Sequence, residues 1–197
     1  MYKDVRKEIL KGLKRVVIKV GSSIITKREK RNNEWANELN ANNVRLLART
    51  IRQIVDQNCE VVLVSSGAIM AGRERLDLHS TDLSIPEKQA CAAIGQSYLM
   101  HTYEKKFEKQ GIKVAQILLG HDDLKNRKRF LNAKHTLETL LEHKVLPIIN
   151  ENDSVTIDEI KIGDNDTLSA TVACLLNAQL LIILSDVDGL YSRDPSV

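Results

Sequence analysis

Cysteine is sparse in this chain: Cys59, Cys91 and Cys174 are odd in number and far apart. They build neither a disulfide framework nor a metal-binding pair, and reduced thiols in a cytoplasmic protein are the simplest reading. The five histidines (His79, His101, His121, His135, His143) show no zinc-ligand spacing, so no metal site is expected. Aromatic residues make up only 4% of the sequence, and the one dense basic run, residues 27–31 (KREKR), has none interleaved. With a net charge of +3 and both signs mixed along the chain, nucleic acid is not expected as a partner. No apolar run is long enough to span a bilayer, and residues 1–14 lack the apolar centre of a signal peptide, so no membrane is expected either. Also missing are a Walker A sequence, a GxGxxG after the first strand and a G-x-S-x-G elbow. Their absence sets aside dinucleotide dehydrogenases and α/β hydrolases.

What is present suits one domain over residues 1–197, large enough to bury a core without staples. Val5, Ile9 and Leu13 share a helical face at the amino terminus. Strands are expected at 15–20 (RVVIKV), 60–64 (EVVLV), 112–119, 145–149 and 179–184, from short Val/Ile/Leu runs ended by Gly, Ser or Asp. Helices are expected at 41–57, where apolar residues recur at three and four, from about Ile69, from Pro86 to about 110, at 132–143 and at 167–176. Residues 27–39 read as an exposed polar loop, and 186–197 as a loop. Alternation of strands and helices argues for a parallel sheet covered on both faces.

Polar groups gather where these strands end. Residues 145–149 run straight into Asn150, Glu151, Asn152 and Asp153; after an alternating excursion, a hairpin over 154–162, comes a second cluster, Asp164, Asn165 and Asp166. Asp164 or Asn165 would cap the helix that follows. Solvated turns are rich in Asn and Asp for local reasons, but two such clusters framing one hairpin at a strand end point to a ligand, which open α/β sheets bind there. Lys19 is a charge inside an apolar strand. It either snorkels to water or reaches an anion beside the turn Gly21-Ser22-Ser23. A second small-residue turn, Ser65-Ser66-Gly67-Ala68, leads from strand to helix, a geometry that brings backbone donors close to an anion. A strand-end lysine, two small turns and a set of carboxylates and amides suit phosphoryl transfer, which needs positioning and charge cancellation more than covalent help.

The segments KVGSSIIT, VLVSSGAIMAGRERL, KQACAAIGQSYLM, RFLNAKHTL, VLPIINENDSV, IKIGDNDTLSA and LSDVDGLY occur in this order. Over residues 14–197 they resemble the glutamate 5-kinases, which include the kinase half of bifunctional pyrroline-5-carboxylate synthases. The resemblance implies an α/β fold, a three-layer α/β/α sandwich around a mainly parallel sheet. It implies ATP-dependent phosphorylation of the L-glutamate side-chain carboxylate, with Mg2+ bridging the ATP phosphates, in a cytoplasmic homo-oligomer open to feedback by L-proline near 154–162. Carried over position by position, Lys19 and Asp166 would be catalytic, the acid orienting the lysine. Ser66, Gly67, Asn150, Asp153, Asp164 and Asn165 would hold glutamate. Lys19, Gly21, Ser22, Ser185 and Asp186 would face the nucleotide. The family's kinase domain continues through a Gly-Thr-Gly-Gly-Met segment and a second lysine, so the chain is expected to be incomplete on its nucleotide side and weak alone. Rival readings are a kinase for another small acceptor and a glutamate- or proline-binding module without turnover.

Overall fold

The computed structural model describes residues 10–31, 34–78, 80, 82–155, 164–186 and 189. In chain order its strands are β1 (Arg15–Val20), β2 (Thr26–Arg31), β3 (Glu34–Leu39), β4 (Glu60–Ser65), β5 (Lys113–Leu119), β6 (Val145–Glu151) and β7 (Leu180–Leu184). The helices are α1 (Ser22–Ile25), α2 (Ala41–Val55), α3 (Ala68–Arg75), α4 (Ile85–Glu108), α5 (His121–Lys125), α6 (Arg127–Glu142) and α7 (Asp164–Leu175). Five strands form one sheet in the order β5-β6-β4-β1-β7, and each of its pairings is parallel.

Side chains alternate across a strand, and this sorts the core into two layers. Val16, Ile18 and Val20 of β1 face one side with Val61 and Leu63 of β4, under Val44 and Ile51 of α2 and Leu99, Tyr103 and Phe107 of α4. Val17 faces the other side with Val62, Val64 and Ile149, under Leu137 and Leu141 of α6 and Leu168, Val172 and Leu176 in and after α7. Each fully buried side chain of this size stabilises the fold by about 1.5–3 kcal/mol. The same alternation sends Lys19 toward the α7 side.

The helix α4 lies against α3 backbone to backbone. A methyl group on Gly72 would sit 1.8 Å from the Cys91 carbonyl oxygen, and one on Gly95 would sit 1.8 Å from that of Ala68. Gly72 and Gly95 therefore set how closely the two helices approach.

Several expectations change. Residues 27–39 are not a loop: β2 and β3 pair antiparallel from Thr26↔Leu39 to Arg31↔Glu34. Their sequences carry too few apolar residues to alternate, so the usual strand signal is missing. Lys27 and Glu38, directly opposite, form an ion pair at 4.0 Å, a cross-strand contact of opposite charges, and Leu39 at the end of β3 is buried in the core. Helix α6 begins at Arg127, five residues before the expected 132, because Asn126 Oδ1 accepts from the N–H groups of Lys128 and Arg129 at 3.0 and 3.2 Å. Helix α7 begins at Asp164 rather than 167. Asp164, Asn165 and Asp166 are thus its first turn, where carboxylates suit the positive end of the helix dipole. The short helices α1 and α5 were not anticipated. The expected amino-terminal helix (residues 1–9 of it), most of the 154–162 hairpin and the tail from 190 lie outside the described residues.

Candidate active site

The named polar residues lie at or follow the carboxyl ends of β1, β4, β6 and β7 or open α7. Register shows why: Val20 is level with Ser65 on one side and Leu184 on the other, and the Ser66 N–H donates to the Val20 carbonyl at 3.2 Å. The two small-residue turns are therefore neighbours. Gly67, where α3 starts, has φ of 100°, and a Cβ there would press on Ile25 Cδ1 at 2.9 Å. Only glycine meets both demands. At the next turn the Gly21 N–H donates to the Leu184 carbonyl at 3.2 Å. The Lys19 amine lies 3.6 Å from where a Gly21 Cβ would stand, so the lysine curls up past the strand end beneath that turn. Ser22 follows as the first residue of α1.

Lys19 is 8% exposed, yet it is not unpaired. Its Nζ lies 2.7 Å from Asp166 Oδ1, whose side chain is half exposed. A nearly buried ammonium without a partner would be costly; here its partner is held by the first turn of α7 and opens toward solvent. The pair sets a nearly buried cation against a half-exposed carboxylate near the carboxyl end of β1.

Beside it sits an amide cluster. Asn165 lies on the buried face of α7, in series with Leu168, Ser169 and Val172, all buried. Its Nδ2 donates to the Ser66 Oγ at 2.7 Å, the Asn150 Oδ1 at 3.0 Å and the Ser65 carbonyl at 3.1 Å. Asn150, only 2% exposed, accepts at Oδ1 from the Glu151 N–H at 2.9 Å as well. Its Nδ2 donates to the Gln96 Oε1 at 2.9 Å. The Asn165 Oδ1 is buried and has no hydrogen-bond partner among the described residues. An orphaned acceptor at that depth costs stability unless a donor arrives from outside.

The sequence-expected residues thus differ in how directly they meet. Lys19 with Asp166, and Ser66 with Asn150 and Asn165, are in direct contact. Ser185 and Asp186, both exposed, follow β7 beside the Gly21 turn, with Ser185 Oγ 3.5 Å from Asp186 Oδ1. Asp153 stands in the turn after β6, partly exposed, following Asn152, whose N–H donates to the Leu119 carbonyl at 3.2 Å. Asp164 opens α7, and its side chain is outside the description. Gln96 and Tyr103 were not singled out from the sequence, and Ser65 was read only as part of the small-residue turn. A signal for the first existed: Gln96 shares a helical face with Ala92, Leu99 and Tyr103, all buried, and a glutamine in an apolar row needs a polar partner. Ser65 Oγ and Tyr103 Oη are 2.8 Å apart. Burial pushes the Tyr103 phenol well above its ordinary range, and the Ser65 hydrogen bond works against that rise. Among the described residues no three metal-ligating side chains converge, and no helix is long and apolar enough to cross a membrane.

Residues 14–197 match the model of the amino acid kinase family. A glutamate 5-kinase of Geobacter metallireducens is 53% identical over 190 residues, covering 96% of this chain and 49% of the relative. One of Clostridium acetobutylicum is 48% identical over 194 residues, covering 98% of this chain and 70% of the relative. The chain spans about half the length of several such relatives. A solved structure of carbamate kinase from Giardia superposes with a TM-score of 0.60 over 89% of this chain and 74% of its own, at 18% identity. That likeness is one of fold.

Proposed function

The chain belongs to the amino acid kinase family, and from that premise we propose that the protein carrying it phosphorylates L-glutamate with ATP. The product is γ-glutamyl phosphate, the first intermediate toward proline. The observation that carries the reading is the Lys19–Asp166 pair at 2.7 Å, set at a strand end. The names of the relatives, glutamate 5-kinases at about half identity, support the choice of acceptor.

In this reading an oxygen of the glutamate side-chain carboxylate attacks the terminal phosphorus of ATP. A new O–P bond forms, the bond to the bridging oxygen breaks, and ADP leaves with its electron pair. The acceptor, with an ordinary pKa of about 4.3, is already an anion at neutral pH, so the step needs no general base. It needs two anions held together, and Lys19 offsets their repulsion at the transferred group. Asp166 fixes the ammonium in place. Gly21, whose missing Cβ would stand 3.6 Å from that ammonium, and Ser22 face the nucleotide, and Ser185 and Asp186 border it from β7. Ser66, Gly67, Asp153, Asp164 and Asn165 hold the amino acid. The orphaned Asn165 Oδ1 and the Asp153 carboxylate suit its ammonium group, and Ser66 suits a carboxylate. Asn150 spends its own hydrogen bonds within the protein and so works from behind Asn165. The described residues build no cage for a metal ion. Magnesium would come with the nucleotide phosphates, lowering their charge and keeping most of its water. A cytoplasmic setting agrees with three cysteines that form no disulfide.

ADP release measured with L-glutamate, L-aspartate, N-acetyl-L-glutamate and carbamate tests the acceptor. L-Glutamate should exceed the others by about 100-fold or more in kcat/KM, since a site built for specific hydrogen bonds rejects mismatched analogues strongly. Preference for any other acceptor refutes the assignment. L-Proline carries the same α-carboxylate and a charged amine, so we extend the reading to it as a competitor. In the same assay it should raise the KM for glutamate and leave kcat unchanged.

A further inference from the structure

Three side-chain amides from three elements, Gln96 of α4, Asn150 of β6 and Asn165 of α7, are joined head to tail at 2.9 and 3.0 Å. Amide oxygen and nitrogen are ordinarily assigned from their surroundings, and here the backbone makes the assignment. The Glu151 N–H can only donate, and it meets the Asn150 oxygen at 2.9 Å. The Ser65 carbonyl can only accept, and it meets the Asn165 nitrogen at 3.1 Å. The nitrogen of Asn150 therefore points to α4 and needs an acceptor there, which Gln96 supplies with Oε1. The oxygen of Asn165 is left over, buried and without a partner among the described residues.

We propose that Gln96 is a positioning residue: by accepting from Asn150 it immobilises the amide whose direction the backbone sets, and so holds Asn165 with its oxygen presented to the incoming amino acid as an acceptor. Gln96 is nearly buried and sits one residue from Gly95, whose contact with the Ala68 carbonyl brings α4 close to the α3 turn. Its action on a ligand runs through two other side chains. The identity of that ligand as glutamate rests on the function proposed above; the ordering of the amides does not.

The test reads the amides first. In the unaltered chain, the side-chain NH2 protons of Asn150 and Asn165 should exchange with solvent about 10-fold more slowly than those of the exposed Asn42, as buried hydrogen-bonded groups do. Gln96→Leu removes the acceptor and should speed exchange at Asn165 about 5-fold or more, whereas Gln96→Glu keeps an acceptor and should stay within about twofold. Turnover then separates positioning from mere packing. Gln96→Leu should raise the KM for L-glutamate about 10-fold with the KM for ATP and kcat nearly unchanged, and Gln96→Glu should restore most of it. Exchange of the Asn165 amide at the exposed rate in the unaltered chain, or no response of it to Gln96→Leu, overturns the proposal. If the amides respond as described but L-glutamate is not a substrate of the unaltered protein, the proposed function fails and the ordering of Asn165 by Gln96 stands.

Discussion

Lys19 interrupts the run of Val and Ile that follows Arg15 in β1, and one carboxylate makes that tolerable. Removing the acid leaves an ammonium that is nearly buried and no longer oriented. Asp166→Ala is therefore expected to lower kcat by about 100-fold, in the range seen when one transition-state electrostatic partner is lost, while the KM for glutamate changes much less. Steady-state kinetics on the protein carrying this chain check it, and an unchanged kcat removes Asp166 from the account. A second residue-scale expectation concerns Tyr103. Its phenol is fully buried and held neutral well above its ordinary range, whereas the unfolded chain ionises it near pH 10. The folded state thus binds more protons than the unfolded state above that pH, so this group's contribution to stability is intact below pH 10 and falls as pH rises beyond it. Tyr103→Phe should flatten the alkaline loss of stability seen in denaturant titrations between about pH 9 and 11, at a cost near neutrality of about 1 kcal/mol for the lost Ser65 hydrogen bond. An equally steep alkaline loss in the variant would show that another group causes it.

Helices α3 and α4 set where the Ser66-Gly67 turn and Gln96 lie, and their separation depends on glycine. Gly95→Ala places a methyl group against the Ala68 carbonyl, a backbone atom that cannot swing aside. Overpacking of this kind commonly costs about 1–3 kcal/mol, and the helix shift it forces should also raise the KM for glutamate. A thermal midpoint equal to that of the parent would mean that the helices separate at no cost. The start of α4 makes a different prediction. Glu87 Oε2 accepts from the Ser84 N–H at 2.8 Å and the Ser84 hydroxyl at 2.6 Å. These two bonds, the side-chain one first, hold its carboxyl below the usual range. Its contribution is therefore present above about pH 4.3, the unfolded value, and fades as pH falls through the lower folded one. Stability curves of the parent and Glu87→Gln should converge on acidification and differ most near neutrality. Elements with a strong apolar rhythm, β1, β4, β6 and α2, were legible in the sequence almost to the residue. The β2–β3 pair was not, because strands with so few apolar residues show no alternation and neither strand's pattern alone displays the pairing. The starts of α6 and α7 were read late because polar first turns resemble loops.

At the scale of the whole molecule, strand alternation does most of the organising. It places Val17 and Lys19 on the α7 side of the sheet, while parallel pairing delivers the ends of the five main-sheet strands to one rim, and both consequences could be drawn from the runs of Val and Ile with their terminal Gly, Ser, Asn and Asp. The sequence could not show that Asn150 turns inward to Gln96 rather than toward a ligand, since that depends on how closely α4 approaches α3. Nor could it choose between a snorkelling and an anion-seeking Lys19; the choice depends on where α7 begins. The account stands or falls on Lys19 serving the transferred group rather than the fold or the acceptor's binding. Its most direct test compares Lys19→Met with the unaltered protein, reading L-glutamate binding by calorimetry and acyl-phosphate formation by hydroxylamine trapping. Binding retained within about threefold, with acyl-phosphate formation reduced about 100-fold or more, is the expected result. Acyl-phosphate formation at the parent rate in Lys19→Met would contradict it.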